Sequence, residues 1–145
     1  MSYENRNMEL MQTLDDAWNA QDWDTFDKRH RTNVVVRWPG QPPTNGIHDH
    51  RLEGIQMFKT FPDNRVHNRP YKVFFASGDW TCSIARFTGT MTGPMTGPDG
   101  KEILPTGKSF EVDFCTVARW DENGQIMEEN LFYDLVGLMM QIGLK

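Results

Sequence analysis

The stretch from Ser109 to Leu144 is the part of the sequence that most constrains the fold. Its first half alternates strictly between two faces, one of which carries Phe110, Val112, Phe114, Thr116, Ala118 and Trp120. A period of two residues predicts a long strand with one buried face. The four residues 121–124 read Asp-Glu-Asn-Gly, and Asn and Gly tolerate the positive φ that a tight hairpin turn requires. A second strand is then predicted from Gln125 to Phe132.

A short helix is predicted to close the chain. Asp134 stands just before an apolar set at helical spacing, formed by Leu135, Val136, Leu138, Met139 and Ile142. An Asp in this position caps the first turn of a helix by accepting backbone hydrogen bonds. Gly143 supplies the end of the helix. We therefore interpret Asp134 as a helix cap in preference to a catalytic acid.

The upstream residues supply helices and further strands for this hairpin to pack against. Met8, Met11, Leu14 and Trp18 recur at helical spacing and predict an amphipathic helix over 4–19. Asp22 is predicted to cap a second short helix. The remaining predicted elements are a buried strand at 34–36, a helix at 51–60, strands at 66–76 and 80–91, and an exposed connection at 92–106. This order predicts one α+β domain over 1–145, with a curved antiparallel sheet packed on one face by helices.

Composition and charge exclude several classes of protein. Hydrophobic residues make up 38% of the chain, and no apolar run approaches the roughly 18 residues of a membrane span. The polar segment Met1–Asn7 lacks the apolar core of a signal peptide, so a cytoplasmic protein is expected. The net charge of −5 comes from the second half of the chain, which argues against nucleic acid as a partner. Cys82 and Cys115 are expected to be reduced thiols.

Several short segments, in order and at matching spacing, resemble one family. They are Gly46-Ile47-His48, Phe61-Pro62-Asp63, the run from Arg86 to Gly93, Pro105 to Lys108, Gly124-Gln125-Ile126 with Glu128, and Asp134 with Gln141-Ile142-Gly143. The chain resembles the SnoaL-like polyketide cyclase or "ester cyclase" group of the NTF2-like superfamily. The resemblance implies a cystatin-like cone in which a bent sheet wraps around helices and encloses one deep pocket. It also implies a dimer or tetramer, and an intramolecular aldol closure that uses neither metal nor cofactor.

The positions that carry acid/base chemistry in this family differ here. The resemblance implies an Asp on the last strand, three residues before Asp134, and a His on the preceding long strand. Those positions are Leu131 and Thr116 in this sequence. Leu131 cannot transfer a proton, so any catalysis must use other residues.

Glu129 is the candidate base on the last strand. It lies two residues before Leu131 and is expected to share its face, where burial would raise the pKa of the carboxyl group. Replacing Glu129 with Gln is expected to slow turnover by roughly a hundredfold to ten-thousandfold, with little loss of stability if the carboxylate is partly solvated. The alternative is that Glu129 sits at the sheet margin as a solubilising or ion-paired charge. Thr116 is either a hydroxyl donor on the neighbouring strand or an ordinary β-branched strand residue.

The segment His48-Asp49-His50 is the densest histidine group in the chain. Because an imidazole titrates close to neutral pH, His48 is a candidate pocket donor or base, whereas His50 is expected to be exposed to solvent. A metal site would need a third ligand, for which His67 is the available distant histidine. We predict no metal and no cofactor.

Two functions fit the sequence. The first is an enzyme without a cofactor that acts on a hydrophobic, carbonyl-bearing or polyketide-like small molecule as a cyclase, isomerase or lyase. The second is a protein that binds such a molecule without turnover. The predicted binding residues are Trp38, Phe58, Phe114, Thr116, Leu131 and Tyr133. A homodimer is predicted through the other face of the long strand, where Cys115 and Val117 lie between charged residues.

Overall fold

The computed structural model describes residues 2–145 and contains, within that range, four helices and nine strands. The helices are α1 (Tyr3–Ala20), α2 (Trp23–Lys28), α3 (Ile47–Thr60) and α4 (Leu135–Gln141). The strands are β1 (His30–Arg37), β2 (Thr44–Asn45), β3 (Arg65–His67), β4 (Val73–Ser77), β5 (Trp80–Thr90), β6 (Met95–Thr96), β7 (Glu102–Ile103), β8 (Ser109–Trp120) and β9 (Ile126–Phe132). Among these residues no helix is both long and apolar enough to cross a membrane.

Seven strands form one curved, unclosed sheet in the order β2-β1-β9-β8-β5-β3, with β4 also paired to β5. The long β5–β8 pair runs in register from Trp80 opposite Arg119 to Thr90 opposite Ser109. One pair departs from the predicted antiparallel sheet, because β1 and β9 are parallel. The long connection between them allows this, since a parallel pair needs a crossover of a dozen or more residues. Strands β6 and β7 form a separate small hairpin.

The helix caps follow the sequence signals, but α3 begins earlier than predicted. Asp22 accepts from Thr25 N, and Asp134 accepts from Gly137 N at 2.8 Å. Gly46 has a φ of 94° and donates its N–H to Val34 O at 2.7 Å. The chain therefore turns at Gly46 and enters α3 directly at Ile47, so that the His48–His50 segment is helical.

The core fills the space between the helices and the concave face of the sheet. Trp18, Trp23, Phe26 and Phe58 form a cluster of tilted and edge-to-face rings with centroids 5.3–6.2 Å apart. A Cβ at Gly54 would approach the rings of Trp18 and Trp23 to within 2.8–2.9 Å. The absence of a side chain therefore lets α3 press against this cluster. The close packing fixes which face of α3 points inward.

Candidate active site

One narrow cavity lies between the helices and the sheet. The space open to the centre of a water-sized sphere is about 50 Å³. Its lining is mostly apolar and consists of Met11, Leu14, Asp15, Trp18, Phe26, Trp38, His50, Met57, Val66, Phe87, Phe114, Thr116, Glu129 and Leu131. Trp38 and Met57 also line a wider surface groove of about 620 Å³. A small molecule could therefore place an apolar part inside and leave a larger part in the groove.

Five of the residues expected in the pocket do line the cavity: Trp38, Phe114, Thr116, Glu129 and Leu131. Thr116 on β8 lies directly opposite Leu131 on β9, so the face predicted from alternation is the inner face. The alternation breaks at one point, because the register shifts between Arg119 and Trp120. Met127, which precedes Glu129 by two residues, lies at a different surface depression.

Three expected residues lie outside the cavity. His48 is exposed on the surface of α3, where its Nδ1 lies 3.3 Å from Arg51 Nη2. The prediction that His48 lies in the pocket is wrong. His50, two residues further along α3, points inward, and residues two apart on a helix point to nearly opposite sides. Phe58 packs inside the aromatic core and does not line the cavity. Tyr133 stacks on Phe114 with centroids 5.5 Å apart and lines the outer groove.

His50, which was expected to be exposed, is almost fully buried beside Glu129. Its Nε2 lies 3.1 Å from Glu129 Oε2, and its Nδ1 lies 3.2 Å from Glu53 Oε1. His30 approaches the same carboxylate, with Nε2 3.3 Å from Glu129 Oε1 and Nδ1 2.7 Å from Phe26 O. Both oxygens of one buried carboxylate thus face an imidazole nitrogen.

This cluster reverses the expected behaviour of Glu129. Burial opposes the charged carboxylate, but the hydrogen bonds and charges of His30 and His50 outweigh burial and hold the pKa of Glu129 far below its usual range. Burial likewise opposes a charged His50, yet its contacts with Glu129 and Glu53 raise its pKa to about 9. Because a carboxylate with a low pKa is a weak base, Glu129 is better suited to hold the histidines than to take a proton itself.

A second carboxyl group, from Asp15 on α1, reaches the same cavity. Tyr71 donates its hydroxyl hydrogen to Asp15 Oδ2 at 2.6 Å. Burial raises the pKa of Asp15 to about 7, the hydrogen bond from Tyr71 opposes this rise, and the nearby charges of Glu129 and Asp16 reinforce it. Asp15 can therefore both accept and donate a proton near neutral pH.

Sequence reasoning missed Asp15, His30, His50 and Tyr71 as members of this site. The sequence does contain one indication of Asp15. This residue lies four positions after Met11 and three before Trp18, so it places a charged side chain on the apolar face of α1. His30 belongs to a charged run that reads as a solvated face, but α2 ends at Lys28 and β1 begins at His30. The His30, His50 and Glu129 group also brings together three possible metal ligands.

Comparison with solved structures assigns the fold. A candidate SnoaL-like polyketide cyclase from Jannaschia sp. CCS1 superposes with a TM-score of 0.86 at 25% identity, covering 100% of this chain and 96% of that chain. A candidate polyketide cyclase from Xanthomonas campestris pv. campestris gives 0.83 at 19% identity, over 98% and 100% of the two chains. A Catenulispora acidiphila protein with a ketosteroid isomerase-like fold, solved with trimethylamine, gives 0.74 at 15% identity, over 94% of each chain. The fold is therefore the NTF2-like, ketosteroid isomerase-like cone.

The family follows from the sequence. The family model described as SnoaL-like polyketide cyclase matches residues 8–142, which is nearly the whole chain. The chain belongs to the SnoaL-like polyketide cyclase family. A comparison with curated proteins finds no match.

Proposed function

We propose that this protein is an acid/base enzyme that acts next to the carbonyl group of a small apolar molecule, as a cyclase, isomerase or lyase. The observation that carries the proposal is the carboxyl group of Asp15 in the lining of an apolar cavity, with a pKa of about 7. A general base or acid is most effective when its pKa lies near the working pH. Membership of a cyclase family agrees with this chemistry.

The proposed step is proton abstraction from the carbon next to the carbonyl group. Tyr71 occupies Asp15 Oδ2, which leaves Oδ1 to accept the proton. The electron pair of the broken C–H bond forms a carbon–carbon double bond, and the π pair of the carbonyl group moves onto its oxygen, for which the Thr116 hydroxyl on the cavity wall supplies a donor. In an isomerase, Asp15 then returns the proton to a different carbon. In a lyase, the enolate expels a group from the neighbouring carbon and that group takes the proton. In a cyclase, the enolate carbon attacks a second carbonyl group of the same molecule, and the oxygen of that group takes the proton. Atoms and charge balance without a further reactant.

The cavity and the groove support a substrate with two parts. A compact apolar part that bears the carbonyl group would enter between Leu131 and Phe114, both of which line the cavity. A larger part would lie outside, against Trp38 and Tyr133. Flat aromatic surfaces of this kind bind ring systems through stacking and apolar contact.

A second candidate function is binding without turnover. The observation in its favour is that Leu131 and Thr116, which stand at the acid/base positions that the resemblance implies, both face the cavity. Neither side chain titrates in the working range. This candidate would leave Asp15 as a polar anchor for a ligand.

Exchange of substrate hydrogen for deuterium separates the two candidates. Compact apolar ketones and 1,3-diketones would be incubated in D₂O with and without protein, and the loss of the α-proton signal would be followed by NMR. Exchange faster than in buffer for any of these compounds supports the enzyme. Compounds that shift protein resonances of the cavity without faster exchange would support binding alone and contradict the enzyme.

A further inference from the structure

The buried side chains of His30, His50 and Glu129 direct their polar atoms toward one another. One ligand atom from each lies within 4.8 Å of the others, and the two nitrogen–oxygen contacts measure 3.3 and 3.1 Å. Nitrogen and oxygen ligands bound at about 2.0–2.2 Å to one tetrahedral zinc ion lie about 3.3–3.6 Å apart, which is close to these two contacts. We propose that this cluster binds a single divalent transition-metal ion through both Nε2 atoms and the Glu129 carboxylate. This site goes beyond the acid/base function proposed for Asp15.

Both imidazole rings are already held in the orientation that a metal ligand needs. Nδ1 of His30 faces the carbonyl oxygen of Phe26 at 2.7 Å, and Nδ1 of His50 faces Glu53 Oε1 at 3.2 Å. A carbonyl or carboxylate oxygen can only accept a hydrogen bond, so each Nδ1 carries a hydrogen. The opposite nitrogen, Nε2, is then the ring atom that can bind an ion, in place of the hydrogen that it directs at Glu129 in the structure. Outer partners of this kind orient the histidines of known metal sites.

Glu53 is fixed in turn by hydrogen bonds from three side chains. Trp38 Nε1 donates to Oε1 at 2.9 Å, while the Thr44 hydroxyl and Gln41 Nε2 donate to Oε2 at 2.8 and 3.0 Å. This network ties the ring of His50 to β2 and to the loop after β1. The ring would therefore need little reorganisation on binding an ion.

The cluster surrounds its ring nitrogens with acceptors. The two Nε2 atoms face oxygens of Glu129, and these oxygens also only accept. A cation placed between the nitrogens and the carboxylate would replace the two Nε2 hydrogens and contact both rings and the carboxylate together. A divalent ion also brings positive charge to a site that holds the buried carboxylate of Glu129 and the half-buried carboxylate of Glu53.

The ligand set and its position indicate which ions the site would take. Two imidazoles and one carboxylate suit Zn²⁺, Fe²⁺, Co²⁺ or Ni²⁺, whereas Mg²⁺ and Ca²⁺ prefer oxygen ligands alone. His50 and Glu129 line the cavity while the side chain of His30 is fully buried. The bound ion would thus have an open coordination position toward the cavity, as three-ligand sites do.

Titration with Co²⁺ and Zn²⁺ tests the site without any activity assay. In protein that carries no polyhistidine tag, we expect one Co²⁺ per chain with a visible absorption band that Zn²⁺ abolishes. His50→Gln and Glu129→Gln should weaken binding at least tenfold, and Glu53→Gln by roughly tenfold to a hundredfold. His48→Gln, an exposed position on the same helix, should bind as the wild type does. Binding that His48→Gln loses and His50→Gln retains would overturn the proposal.

Anomalous diffraction from wild-type crystals soaked in Zn²⁺ gives a second reading that does not depend on the folding of any variant. A peak enclosed by His30, His50 and Glu129 is expected. Zinc found only at surface histidines, or no bound zinc at millimolar concentration, would overturn the site. Neither result bears on Asp15, so failure of this site remains distinct from failure of the proposed enzyme.

Discussion

Nε2 of His50 lies 3.1 Å from Oε2 of Glu129, although the two residues are 79 positions apart in the chain. Only 2% of His50 and 4% of Glu129 is exposed. The contact joins α3 to β9 across the cavity, and His30 contacts the other oxygen of the same carboxylate. Glu129 is therefore the residue on which the polar wall of the cavity depends.

Replacing Glu129 with Gln should destabilise the protein, contrary to the small effect expected for a partly solvated carboxylate. Removing one partner of a buried charged pair typically costs roughly 3–5 kcal/mol, and here two histidines lose their partner. Chemical denaturation at neutral pH would measure the loss. Glu128→Gln is the matched control, because the carboxylate of Glu128 pairs with Arg37 near the surface. Its loss should lower the free energy of unfolding by less than about 1 kcal/mol. Equal effects of the two variants would contradict the buried cluster.

Asp15 should make stability fall as the pH rises. Its folded-state pKa of about 7 lies above the unfolded value of about 4. Between these values the folded protein binds more protons than the unfolded chain, so the free energy of unfolding decreases across this window. Asp15→Asn removes the titrating group, which faces Glu129, Asp16 and Tyr71.

We compare the free energy of unfolding of Asp15→Asn with that of the wild type at pH 4 and at pH 8. The difference should shift in favour of the variant by at least about 1 kcal/mol from the lower pH to the higher, since one pKa unit corresponds to about 1.4 kcal/mol. Denaturation curves at both pH values would measure this shift. Asp16→Asn should not show it, because Arg69 holds the pKa of Asp16 below its usual range. A difference between Asp15→Asn and wild type that stays constant with pH would refute the raised pKa.

The outer face of the sheet is where we propose that two copies associate. Its centre carries Cys82, Ile84, Cys115 and Val117, with exposed Phe75 and Phe132 beside them. Asp113 and Arg119 lie three residues to either side of Thr116 on β8. A twofold axis through that point would therefore bring Asp113 of one copy opposite the partner subunit's Arg119.

Val117→Arg should abolish this dimer by placing an unpaired charge at the centre of the apolar patch. Sedimentation velocity at micromolar concentration would detect the change from dimer to monomer. Leu104→Arg, at a position 73% exposed outside the patch, should leave the assembly unchanged. A wild-type protein that sediments only as a monomer would remove the dimer.

Local patterns were sufficient to predict most of the fold. Alternation placed Thr116 and Leu131 on one inner face, and the Asp22 and Asp134 caps were found from the apolar spacing that follows each of them. The site was harder because its members come from α1, β1, α3 and β9, and no local pattern encodes their meeting. His48 and His50 show the difficulty. Their spacing allows an extended loop or a helix, and the turn at Gly46, which decides between these, depends on a hydrogen bond to Val34.

The most direct test of the central claim is the rate of α-proton exchange by Asp15→Asn in D₂O. Asn keeps the size of Asp and its ability to accept from Tyr71, but it cannot take up a proton. The exchange rate should fall by roughly a hundredfold to ten-thousandfold, the usual contribution of a general base. Asp16→Asn, the adjacent residue paired with Arg69 at the surface, should exchange at nearly the wild-type rate. An Asp15→Asn variant as fast as the wild type would contradict the assignment of Asp15 as the proton-transfer group.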